Sequence, residues 1–94
     1  MIIKFNPQRA ETQTTASIKN NVFKYNEDSV DLTTIPNGAT AKSEYITIDK
    51  DVDGNTTITL LWQYKENTPE NCFPKDLEIT KDGEIYPKES TNEV

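Results

Sequence analysis

The stretch Tyr45-Ile46-Thr47-Ile48-Asp49-Lys50-Asp51-Val52-Asp53-Gly54-Asn55-Thr56-Thr57-Ile58-Thr59-Leu60-Leu61-Trp62-Gln63-Tyr64 decides the fold. Apolar and polar residues alternate on both sides of Asp53-Gly54, the pattern of two half-buried strands meeting at a tight turn. Loop length sets the register. A two-residue loop would place Ile46 and Ile48 on the opposite face from Ile58, Leu60 and Trp62. A three-residue loop, Val52-Asp53-Gly54 with Gly54 left-handed, sets Ile48 against Ile58 and Ile46 against Leu60. The second arrangement gathers the apolar side chains on one face, so it is the one expected. Thr57, Thr59 and Gln63 then face solvent, and Leu61 marks partial cover of that second face.

The same logic extends in both directions. Asn20-Asn21 joins Thr14–Lys19 to Val22–Tyr25, pairing Ile18 with Phe23 and Ala16 with Tyr25 on one face and Ser17 with Lys24 on the other. Met1–Phe5 reads as a short strand stopped by Pro7, and Gln8–Gln13 as polar chain with no clear element. Ser29–Leu32 is a third short strand or an edge. Ile35-Pro36-Asn37-Gly38 is a turn, with proline and glycine at positions that suit them. Ala39–Glu44 reads as one helical turn or coil. Lys65–Lys75, with Pro69 and Pro74, reads as a loop anchored by Phe73. Lys81-Asp82-Gly83 would close a last hairpin setting Ile79 against Ile85, which Pro87 ends.

These readings give a mainly β domain over residues 1–87, antiparallel hairpins in a meander or small β-sandwich with little or no helix. Residues 88–94 read as a flexible acidic C-terminal tail. The expected core is Ile3, Ile18, Phe23, Tyr25, Ile46, Ile48, Ile58, Leu60, Trp62, Phe73, Leu77, Ile79 and Ile85. With 94 residues, 33% of them hydrophobic, the chain makes one domain with a small core,. Its expected stability is about 5 kcal/mol, the low end for folded domains.

Composition also narrows function. Sixteen acidic against ten basic residues leave a formal charge of -6, which disfavours direct binding to nucleic acid or to anionic membranes. No apolar run has the length of a membrane span, and Met1-Ile2-Ile3-Lys4-Phe5 is too short for a secretory signal. The single cysteine, Cys72, allows no internal disulfide and suits a reducing compartment,.

Motifs that carry chemistry are scarce. There is no histidine, so the usual Cys-His pair and the usual zinc sets cannot form within the chain. Asp49-Lys50-Asp51-Val52-Asp53-Gly54 resembles the first half of a calcium loop, but its twelfth position is Leu60 where a bidentate Glu is needed. The expectation is therefore no catalytic residue, no metal and no cofactor. Trp62, Tyr64 and Phe73 could form an aromatic surface, though Trp62 lies on the core face; Tyr64, Tyr45 and Tyr86 stand nearer strand ends. The residues singled out for contact with a protein partner are Tyr64, Lys65, Glu66, Asn67 and Glu70 around the long loop, with Asp49, Asp51 and Asp53 at the hairpin tip.

Several strings stand in order from Ile35 onward: Ile35-Pro36-Asn37-Gly38-Ala39-Thr40, Thr57-Ile58-Thr59-Leu60-Leu61, Asn67-Thr68-Pro69, Phe73-Pro74, Asp82-Gly83-Glu84-Ile85 and Pro87. In their order and spacing, over more than half its length, the chain resembles a family of small proteins encoded by tailed bacteriophages and prophages, often near tail and tail-fibre genes, and Ile2-Ile3-Lys4-Phe5 and the Asn20-Asn21 hairpin fit as well. It departs from the pattern at Trp62-Gln63-Tyr64, where relatives tend to carry a proline-containing segment. The resemblance implies phage origin, production in the bacterial host cytoplasm and a non-enzymatic role. The expectation built on it is a tail-region accessory protein, cytoplasmic or virion-associated, that binds another protein such as a tail or fibre subunit. The alternative is an inhibitor of a bacterial defence system. It would set an acidic face built from Glu27, Asp28, Asp31, Asp49, Asp51 and Asp53 against a basic site on a host protein.

Overall fold

The computed structural model describes residues 1–72 and 74–87. Nine strands and one short helix follow in chain order: β1 Ile2–Arg9, β2 Ala16–Lys19, β3 Val22–Tyr25, β4 Asp28–Asp31, β5 Thr40–Lys42, β6 Ile46–Lys50, β7 Thr56–Tyr64, α1 Pro69–Cys72, β8 Leu77–Glu78 and β9 Gly83–Ile85. A 3-10 turn, Leu32–Thr34, follows β4. The strands form two sheets, β5-β6-β7-β1-β8 and β4-β3-β2-β9. Their inward side chains share a single core. The fold is thus mainly β, a small sandwich.

Both central hairpins have the register that their turns dictate. Ile48 pairs with Ile58 and Ile46 with Leu60. Gly54 has φ +87°, and its N–H donates to the Asp51 carbonyl across the three-residue loop. In β2–β3, Ile18 pairs with Phe23 and Ala16 with Tyr25. Asn20 and Asn21 both have positive φ, 51° and 65°, the backbone a two-residue hairpin needs to follow strand twist.

Other expectations are corrected. The sheet containing β1 is mixed, because β1 pairs with β7 in parallel, with Ile3 beside Ile58 and Pro7 beside Trp62. Pro7 does not stop the strand. Ala10 N–H donates to the Tyr64 carbonyl of β7, so even-numbered residues of β1 turn their N–H groups toward β7 and odd-numbered ones turn away. On the far side β8 pairs only with Ile2 and Ile3. The donor that Pro7 lacks would point past the end of β8, where proline costs the ladder nothing.

Ala39–Glu44 is neither helix nor coil throughout: Thr40–Lys42 is an edge strand on β6, and that pairing supplies hydrogen bonds that three residues could not find alone. The last hairpin does not exist. Leu77–Glu78 pairs with β1 in one sheet, and Gly83–Ile85 pairs with β2 in the other. Asp82-Gly83 is therefore a corner where the chain changes layer, held by the Asp82 carboxylate accepting from Asn20 N–H at 3.2 Å. Ile79 is consequently only half-buried, and its N–H donates to the Met1 carbonyl. The expected anchor Phe73 and tail 88–94 lie outside the described residues. Ala16, Leu32, Ile35 and Tyr64 join the core in addition to the residues expected there.

Candidate functional site

The residues singled out from the sequence fall into two separate regions. The first is the hairpin tip between β6 and β7. Asp51 spends its carboxylate on its own loop: Oδ1 accepts from the N–H groups of Asp53 and Asn55 at 2.9 Å each, and Oδ2 from Asn55 Nδ2 at 3.1 Å. The Asn55 hydrogen bonds, foremost among these contacts, hold its pKa below the ordinary carboxylate value,. Asp49 accepts from the Thr40 hydroxyl at 2.6 Å, tying β6 to β5. Asp53 is exposed. This string folds as a self-satisfied turn. Among the described residues no group of three acidic, cysteine or histidine side chains is placed to hold a metal ion.

The second region is the long loop. Tyr64 does not project from it: β1 runs alongside β7 as far as the Arg9–Tyr64 pair, and the ring is buried as the last of the inward row Ile58, Leu60, Trp62, Tyr64. That position corrects the expectation of a strand-end tyrosine open to a partner. The neighbouring Cys72 thiol raises the Tyr64 phenol pKa, with desolvation adding to it. Cys72 itself is half-buried. Lys65, Glu66 and Asn67 are exposed; Glu70 belongs to α1. The loop is fastened to the core by a residue that no motif marked: Asn71 accepts from Trp62 Nε1 at 3.0 Å and donates through Nδ2 to the Glu66 carbonyl at 3.0 Å.

Two other polar residues escaped the sequence pattern. Thr14, 2% exposed, finishes the edge of β7 where β6 no longer reaches. Its N–H donates to the Gln63 carbonyl at 2.8 Å, and its hydroxyl accepts from Gln63 N–H at 2.8 Å and faces the Leu61 carbonyl at 3.3 Å. Lys50 reaches from β6 to donate to the carbonyls of Leu32 and Ile35 at 2.7 and 2.9 Å, closing the 3-10 turn over the core. Asp31 caps that turn, accepting from Thr33 N–H and hydroxyl, and these bonds lower its pKa. A threonine before a strand and a lysine at a strand end carry no sequence signature of such roles, because their partners lie far along the chain.

Among the described residues the edge strands are β5 and β8 in the five-stranded sheet and β4 and β9 in the four-stranded one. An apolar cleft of about 210 Å³ opens between β4 and β5, lined by Tyr25, Val30, Ala41, Ile46 and Ile48 among others. A larger groove of about 490 Å³ lies where β2, β3 and β9 meet the chain leading into β2. Comparison with protein-family models, with curated proteins and with solved structures returned no match. No helix among the described residues is long and apolar enough to cross a membrane.

Proposed function

We propose that this chain is a non-enzymatic accessory protein of a phage or prophage tail region that acts by binding another protein. The ordered resemblance from Ile35 to Pro87 carries the reading. The open edges of β4 and β5 supply a physical means, since an unpaired strand offers backbone donors and acceptors to an incoming segment. The exposed Lys65-Glu66-Asn67 segment after β7 offers further polar contacts. A tagged copy expressed in infected or induced cells is expected to co-purify with tail or fibre subunits. Recovery without any virion or assembly protein would refute the reading.

The inhibitor alternative requires free acidic groups that act together. Asp31, Asp49 and Asp51 each hold a local hydrogen bond that the fold uses, so three of its six carboxylates are already engaged, and the tail-region reading stands ahead of it.

A further inference from the structure

The groove at the β9 end of the four-stranded sheet has a lining of a particular chemical kind. Ser17 is flanked across the sheet by Glu84 on β9 and Lys24 on β3. Ala16 and Ile85 point into the core, so this row lies on the outer face by strand alternation. Beyond it the groove continues with Gln13, Thr15, Asn26 and Tyr86, and the buried Thr14, Ala16, Trp62 and Ile85 line its inner side. Tyr86 is 57% exposed, one of two large hydrophobic residues left so open among those described. The volume, about 490 Å³, lies within the ~300–1,000 Å³ typical of small-molecule sites.

The lining decides among ligand classes. One lysine and one glutamate leave no net charge, so a phosphate or other anion meets a carboxylate as well as an ammonium, and a cation meets the reverse. A wholly apolar ligand would strand the hydroxyls and amides, at a cost for each polar group left without a partner. What fits is a neutral molecule with hydrogen-bonding groups around its rim and C–H surface on its faces. Asn26 uses its carbonyl oxygen on Thr15 N–H at 3.2 Å, so its amide is the donor it can offer a ligand; Gln13 uses its amide on the Thr14 carbonyl at 3.2 Å, so its oxygen is the acceptor it can offer. The groove therefore presents donors and acceptors side by side, as vicinal hydroxyls require, next to a flat exposed ring. We infer that this groove binds a neutral saccharide, with Tyr86 stacking on a sugar face and Ser17, Lys24, Asn26 and Glu84 bonding to its hydroxyls.

The inference does not depend on the tail-region reading. Its test is an amide-resolved NMR titration of the full chain with three probes, maltotetraose, cellotetraose and chitotetraose, each taken into the millimolar range. At least one is expected to shift the amides of Thr15, Ser17, Lys24, Asn26, Glu84 and Tyr86 saturably, with the same affinity at low and high salt. Tyr86→Ala is expected to weaken that binding by about tenfold, the value of one aromatic stacking contact, while the amide spectrum elsewhere stays native. No saturable shift with any of the three, shifts centred outside the groove, affinity that falls steeply with salt, or unchanged affinity in Tyr86→Ala would each overturn it. So would a stronger response to inorganic phosphate than to any of the sugars.

Discussion

At the scale of single residues, polar side chains settle what the apolar pattern leaves open. Thr14 stands in for a missing strand at the edge of β7. Thr14→Val would leave Gln63 N–H buried without a partner, and the expected cost is about 1–3 kcal/mol in urea unfolding; Thr14→Ser, which keeps the hydroxyl, should recover most of it. Gly54 combines φ +87° with a close approach, since an added Cβ would lie 3.2 Å from Asn37 Oδ1. Gly54→Ala is expected to destabilise by about 1–2 kcal/mol, because an L side chain is strained there and Asn37 must also move. Asp51 and Asp31 have lowered pKa values. Their contribution to stability is present above the ordinary carboxylate pKa of about 3.9, and is lost as pH falls through the lowered folded-state values. The urea midpoint should therefore drop as pH is taken below about 4, and Asp51→Asn should flatten that drop. An unaltered slope in the variant would show that the carboxylate cap of the hairpin tip is not energetically coupled to folding.

Among the elements, β7 is the axis of the larger sheet, with β6 on one side and β1 on the other. Ile58 sits at its centre, fully buried and paired with Ile48 and Ile3. Ile58→Ala should cost about 2–5 kcal/mol. Set against a total near 5 kcal/mol for so small a domain, that is enough to leave much of the chain unfolded at ambient temperature, as circular dichroism would read. The parity of β1 gives a sharper contrast. Pro7→Ala adds an N–H that points past β8, so stability should change by less than about 0.5 kcal/mol. Gln8→Pro removes an N–H directed at β7 and should cost about 1 kcal/mol or more. Equal effects at the two positions would contradict the register. The hairpins β2–β3 and β6–β7 were legible in the sequence because each is closed by its own turn, and Asn20-Asn21 and Val52-Asp53-Gly54 fix the alignment within a few residues. The β1–β7 pair and the split of β8 from β9 were not, because no local residue records which distant strand will be the neighbour. Asp82-Gly83 looks the same in sequence whether it closes a hairpin or turns a corner between layers.

Over the whole molecule, the shortest extent is 20 Å, the thickness of two sheets stacked about 10 Å apart with their outward side chains. The layers are joined at three places: Ala10–Thr15 between β1 and β2, Leu32–Ala39 between β4 and β5, and Ile79–Asp82 between β8 and β9. Because β1 finds β7 more than fifty residues away, closing the sheet costs loop entropy before any contact repays it. Folding followed through the single tryptophan, Trp62, should accordingly fall in milliseconds to seconds, and microsecond relaxation would contradict the long-range pairing. The candidate contact residues divide at this scale too. Tyr64 does end β7, yet the fold buries it, since it closes the inward row of that strand and β1, from the other end of the sequence, extends alongside as far as its Arg9 partner. Alternation and turn chemistry by themselves determined that this protein is mainly β, which faces of its hairpins are apolar and how those hairpins are aligned, because these properties depend on side chains a few residues apart. Only the tertiary structure decided the mixed sheet, the capping by Thr14 and Lys50 and the grouping of Tyr86 with Lys24 and Glu84, because each of these joins groups that meet only after the two layers have closed on their common core.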